Sequence, residues 1–171
     1  MKVHSAIHQD LLAIKTAYEA VNVTCEDILP EEESKEYGAY VFKINRKIVR
    51  FRVAKITPTK VGQFVTFWKR SPGGPIEPYD ATDMFDLLIV IVREAERCGQ
   101  FIFPKAVLVQ NGLLSKDGCG GKRAMRVYPP WVITENLQAR KTQEWQSLYF
   151  YEIAPAFNGS GIQKLFAITA S

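Results

Sequence analysis

Six consecutive apolar residues, Leu87-Leu88-Ile89-Val90-Ile91-Val92, constrain this chain more than any other feature. The run offers no polar position to face water, and it is too short for a helix of typical length. Its β-branched content favours extended backbone. It therefore reads as a central strand buried on both faces, with Asp86 at its entrance.

The flanking patterns define what surrounds that strand. Ile7, Leu11, Ile14 and Tyr18 recur at three- and four-residue spacing, which predicts an amphipathic helix over Ser5 to Val21. Ala39 to Ile44 alternates, with Tyr40, Phe42 and Ile44 on one face. Asn45-Arg46 suits a tight turn. Lys47 to Ile56 alternates again: Val49, Phe51 and Val53 point one way, Arg50 and Arg52 the other. That combination predicts a half-buried antiparallel strand with a basic, solvated face. Gln63 to Arg70 reads as a third strand. Gln100 to Val109 reads as a strand after the apolar run, bent near Lys105 by Pro104. Gly112 to Gly121 reads as a glycine-rich loop, Arg123 to Tyr128 as a short strand stopped by Pro129-Pro130. Thr134 is placed to cap a helix reaching about Phe150, with Leu137, Lys141, Trp145 and Leu148 on its inner side. Ile162 to Ile168 suits a last strand.

This order of elements is not a series of βαβ units. It predicts an α+β fold: a mixed, largely antiparallel sheet flanked by an N-terminal and a C-terminal helix. The 171 residues are enough for one well-buried core, so a single domain over 1–171 is expected. No stretch of about 18 uninterrupted apolar residues occurs, so no membrane-spanning helix is expected. The first ten residues lack the apolar segment of a signal peptide. Cys25, Cys98 and Cys119 show no metal-type spacing, and a reduced, cytoplasmic compartment is expected.

Charge is segregated along the chain. Met1 to Glu36 holds eight acids and three bases, whereas Tyr37 to Ile76 holds nine bases and no acid. Acids return at Glu77, Asp80, Asp83 and Asp86. Such a block predicts a positive field that attracts phosphates. The alternative is that some of these bases pair with the acidic N-terminal segment.

A series of segments carries a resemblance. It begins with Lys55-Ile56-Thr57-Pro58-Thr59-Lys60, Gly62-Gln63-Phe64-Val65-Thr66 and Trp68-Lys69-Arg70. Gly74-Pro75-Ile76, Asp83, Asp86 and Gln100-Phe101-Ile102-Phe103-Pro104-Lys105 follow. Gly121-Lys122-Arg123, Arg126-Val127-Tyr128-Pro129-Pro130-Trp131, Ala139, Lys141-Thr142-Gln143, Trp145 and Gln146 complete it. This series resembles the MepB-like family over about residues 35 to 150. The family takes its name from a gene beside a multidrug efflux pump, which assigns no biochemical activity. The resemblance also implies a fold related to restriction-endonuclease-like enzymes. Those place one acid on a core strand and an acid-x-lysine triplet on the next, with the acids holding a divalent metal. Here Asp86 and Lys105 correspond, with Lys69 as a second candidate lysine. The position two before each lysine is phenylalanine, Phe103 or Phe67. A phenyl ring cannot ligate a hard cation, so the triplet is degenerate and no metal or other cofactor is expected. A divalent metal enters only in an alternative in which Glu77, Asp80 or Asp83 supplies the missing acid.

The expected function is therefore binding. Lys55, Lys60, Lys69 and Arg70 interleave with Phe64 and Trp68, the combination of charge and stacking that single-stranded nucleic acid requires. Lys105, Lys122, Arg123 and Arg126 extend the set of phosphate-binding candidates. Tyr128-Pro129-Pro130-Trp131 is stiffened by its prolines and offers planar rings. Gln143 and Gln146 carry amides able to read polar edges. The expected partner is nucleic acid or another phosphate-bearing ligand, with no membrane. The alternatives are a metal-dependent phosphodiesterase and a small-molecule or protein-interaction module built on Tyr128, Trp131 and the glycine loop. Each candidate also has a bland reading, as exposed strand ends, a hairpin tip or core aromatics.

Overall fold

The computed structural model describes residues 6–167. The chain runs through helix α1 (Gln9–Glu19), strand β1 (Glu26–Pro30), a short 3-10 turn (Lys35–Tyr37), β2 (Tyr40–Ile44), β3 (Lys47–Val53), β4 (Lys55–Ile56), β5 (Gln63–Thr66), β6 (Trp68–Arg70) and β7 (Ile76–Pro78). It continues through β8 (Leu87–Glu94), β9 (Arg97–Pro104), α2 (Lys105–Gln110), β10 (Ser115–Lys116), β11 (Cys119–Gly120), β12 (Ala124–Val127), α3 (Leu137–Ser147), β13 (Phe150–Ala154) and α4 (Gly159–Phe166).

A six-stranded sheet in the order β1-β2-β3-β8-β9-β13 forms the centre. Strand β8, which contains the apolar run, lies beside β3 in parallel and beside β9 in antiparallel register. The other pairings of this sheet are antiparallel. The architecture is thus α+β with a mixed, largely antiparallel sheet. Successive side chains of a strand point to opposite faces, and β8 feeds two cores in this way. Leu87, Ile89 and Ile91 join Phe42, Val49 and Phe51 beneath α1 and α4. Leu88, Val90 and Val92 join Val65, Phe67, Phe101, Phe103 and Val127 on the opposite face. That opposite layer contains a small antiparallel sheet, ordered β12-β5-β4, together with α2 and α3.

The N-terminal helix buries Leu11, Ile14 and Tyr18 as its spacing predicts. It begins later than Ser5, because His8 caps it: the His8 ring Nδ1 accepts a hydrogen bond from the Asp10 N–H at 3.1 Å. Ser5 lies outside the described residues. At the β2–β3 turn both Asn45 and Arg46 have positive φ, the conformation a two-residue primed turn demands.

Several expectations are corrected. The face of β3 that carries Arg50 and Arg52 is not a solvated one: Arg52 is 0% exposed. Strand β3 is central and parallel to β8, not simply one arm of an antiparallel pair. The third strand breaks at Phe67, giving β5 and β6. Lys105 is the first residue of helix α2, not part of a bent strand, because Pro104 sits at the helix N-cap, where its lack of an N–H costs nothing. Helix α3 starts at Leu137, and its cap is Asn136, whose side chain accepts from the Ala139 N–H at 2.9 Å. Leu137 and Leu148 are 60% and 77% exposed, while Ala139 and Gln146 face inward. The segment from Ile162 is helical, in α4, and Ile168 lies outside the described residues. Strands β1 and β13, which complete both sheet edges, have no counterpart in the sequence reading.

Gly99 fixes how β13 closes the sheet. A Cβ placed there would lie 2.2 Å from Phe150 Cζ, so the aromatic ring packs directly onto bare backbone.

A basic groove between the small sheet and helix α3

Strand β12 pairs with β5 in a register that sets Arg126 opposite Phe64. The Arg126 guanidinium carbon lies 5.8 Å from the Phe64 ring centroid. From there Arg126 reaches the loop between β4 and β5. It donates to Thr57 Oγ1 at 2.8 Å and to the carbonyls of Val61 and Gly62 at 3.3 and 3.4 Å. Gly62 has φ +83°, and a Cβ there would meet the Tyr128 ring at 2.8 Å. Glycine is thus required on two counts, backbone conformation and ring contact. The result is a held loop that presents exposed Lys60 beside Tyr128.

Helix α3 forms the facing wall. Its position is set by two glutamines that the sequence marks as candidate ligand contacts. Buried Gln146 accepts from the Tyr128 N–H at 2.8 Å and donates to the Arg126 carbonyl at 2.9 Å. Gln143 donates to the carbonyls of Pro129 and Val132 at 2.9 and 2.8 Å. Both amides clasp the end of β12 and the diproline segment, so they shape the groove through its frame.

Between these walls lies a cavity of about 420 Å³. Lys60, Lys122 and Arg126 line it together with Phe64, Tyr128 and Trp145, and no acidic residue is among the described residues that line it. Asn136, Gln138 and Thr142 complete the α3 side. These polar residues are absent from the candidates drawn from sequence. The signal for them was the helix cap at Asn136 and the i, i+4 spacing of Gln138 and Thr142. Trp145 holds its place by packing on Phe103, with ring centroids 5.4 Å apart.

The other candidates fall elsewhere. Lys55 lies 4.7 Å from the Tyr37 ring centroid. Arg70 stacks near Trp68 and pairs with Glu33 at 3.5 Å. Arg123 is exposed, and its carbonyl accepts from the Phe67 N–H. Trp131 faces a second cavity on the far side of the β4–β5 loop. Its indole N–H donates to Glu94 at 2.8 Å. The glycine-rich segment forms the small β10–β11 hairpin.

Lys69 and Lys105 do converge, but on Asp83. Lys69 Nζ lies 2.7 Å from an Asp83 carboxylate oxygen. Lys105 Nζ donates to the Asp83 carbonyl. Glu77 lies 4.0 Å from the same Lys69, and the Asp83 carboxylate accepts from the Asp80 N–H at 2.7 Å. The Asp86 carboxylate accepts from the Ile48 N–H at 2.8 Å. Asp80 accepts from the Thr82 and Ser115 hydroxyls and the Thr82 N–H, and these bonds lower its pKa to about 2. Among the described residues no three His, Cys, Asp or Glu side chains form a metal-binding group.

Part of the basic block is neutralised inside the protein. Glu31 forms ion pairs with both Arg50 and Arg52. The Arg52 guanidinium lies 5.2 Å from the Phe67 ring centroid and Arg50 lies 4.8 Å from that of Tyr79. Burial lowers the Arg52 pKa to about 10. Lys43 pairs with Asp27 at 3.6 Å. The acidic N-terminal segment thus accounts for Lys43, Arg50, Arg52 and Arg70.

These elements together define an α+β domain with a mixed, largely antiparallel central sheet. The MepB-like family model matches residues 31–152, and the chain belongs to that family. The crystal structure of MepB superposes with a TM-score of 0.76 at 32% identity, covering 87% of this chain and 99% of that one. A bacterial homing endonuclease gives a TM-score of 0.44 at 14% identity, covering 80% of this chain and 85% of that one, a level at which a shared fold is not established. No curated protein matches the sequence.

Proposed function

We propose that the groove between the β12-β5-β4 sheet and α3 binds single-stranded nucleic acid or another chain of phosphates bearing flat groups. One observation carries this reading: Lys60, Lys122 and Arg126 share a cavity wall with Phe64, Tyr128 and Trp145, with no carboxylate among the described residues that line it. Cations neutralise phosphates, and aromatic faces stack unpaired bases of any identity. Lys55, Lys69, Arg70, Lys105 and Arg123 lie outside that cavity lining, so the binding role concentrates on three cations.

Fluorescence anisotropy with a labelled oligothymidylate tests this. Three phosphate contacts give a slope of log K against log salt of about −2 for a single strand. Affinity then falls about 20-fold between roughly 50 and 200 mM salt. Lys60→Gln or Lys122→Gln should each reduce the slope by about 0.7. Absence of binding at the lowest salt, or a slope unchanged in both variants, rejects the assignment.

A further inference from the structure

The second cavity, beyond the β4–β5 loop, is larger, at about 930 Å³. Lys60 lines both cavities, so the loop carrying it is the partition between them. The two sides differ in chemistry. The groove side is basic. The far side brings two carboxylates, Glu94 and Glu96, alongside Arg97, Trp131 and Ile133. Trp131 is held by its indole N–H bond to Glu94 and by packing on Phe150, with centroids 5.8 Å apart. Ile133 is 87% exposed. Gln63 also lines this cavity, is only 2% exposed, and leaves its amide oxygen without a partner among the described residues. Its amide nitrogen donates to the Arg93 carbonyl at 3.2 Å, which fixes that side chain.

Glu94 and Glu96, both exposed, disfavour a phosphate. They accept from N–H groups, and an indole with an exposed isoleucine offers apolar surface to a flat ring. On the reading of the groove given above, the group delivered here is a base of the strand, not its backbone. We propose that this cavity is a base-selective pocket that prefers guanine. Guanine carries two adjacent N–H donors, N1–H and the N2 amino group, which match one carboxylate in a two-point contact. Its O6 and N7 acceptors match an arginine, here Arg97. Thymine and uracil flank their single N–H with two carbonyl oxygens, which the carboxylates oppose.

The test compares two labelled ten-nucleotide strands in the same anisotropy assay: oligothymidylate, and the same strand with one central guanine. The guanine strand should bind on the order of tenfold tighter, the discrimination of one good two-point contact. Hypoxanthine in place of guanine removes the N2 amino group and should lose most of that gain. In Glu96→Gln and Glu94→Gln, each verified as folded by circular dichroism, the affinity ratio between the two strands should move toward one. Equal affinity of the two strands for the natural protein overturns the pocket and leaves the groove standing, as does a ratio unchanged in both variants. Failure of both strands to bind at low salt overturns both readings.

Discussion

Replacing Glu31 with glutamine removes the carboxylate that pairs with Arg50 and Arg52. Arg52 is fully buried, and two of its nitrogens, Nε and Nη2, already lack a hydrogen-bond partner among the described residues. A buried charge stripped of its counter-ion costs about 3–5 kcal/mol. Arg50 retains some solvent access, with a side chain 21% exposed, so water screens its share and Arg52 dominates the loss. For a domain of this size each kcal/mol lowers Tm by about 2–4 °C. Glu31→Gln should therefore lower Tm by roughly 6–20 °C. Thermal unfolding followed by circular dichroism measures the shift directly. The double variant Glu31→Leu with Arg52→Met replaces the pair by apolar groups and should recover most of the loss, since an ion pair and a well-packed apolar pair are often near equal in stability. A Tm shift below about 2 °C for Glu31→Gln, or strictly additive effects in the double variant, would refute the reasoning.

Two further outcomes are expected. Gly99→Ala should destabilise the fold by about 1–3 kcal/mol, read as a lower urea midpoint, because the Phe150 ring occupies the space a methyl group needs. Asp80 has its pKa lowered from 3.8 to about 2, so the stability its hydrogen bonds contribute is present above 3.8 and is lost as pH falls through 2. The urea midpoint of Asp80→Asn should accordingly vary less than that of the natural protein across this acid window, and equal slopes would show that Asp80 contributes nothing.

The central strand was legible because Leu87–Val92 has no polar position at all. The β2–β3 hairpin was legible from alternation and from Asn45-Arg46, two local signals that agree. The edge strands β1 and β13 were not. Glu26–Pro30 is mostly exposed and Phe150–Ala154 half-buried throughout, so neither shows alternation. The break at Phe67 depends on the tertiary contact with Tyr79, where the rings stack at 4.2 Å. For the groove, Lys60, Lys122, Arg126 and Tyr128 were accessible from composition and motif. The polar wall of α3 was hidden because the inward face of that helix is Ala139 and Gln146, not an apolar stripe. Charge counting also overstated the free positive surface. Glu31 precedes Arg50 by 19 residues, and only the sheet brings them together.

Strand order carries a consequence for how the protein assembles. Between β3 and its parallel neighbour β8 the chain makes an excursion through β4, β5, β6 and β7. Between β9 and its neighbour β13 it makes another, through α2, β10, β11, β12 and α3. The sheet wall of the groove takes β4 and β5 from the first excursion and β12 from the second, which also supplies α3, and the β5–β12 pairing stitches the two together. The central sheet cannot close until both loops of chain are paid out, so folding depends on contacts distant in sequence and should be slow for a domain this size. The same wiring means that the groove cannot melt while the sheet around it stays intact at both seams: a cut in either excursion should loosen core and cleft as one cooperative unit.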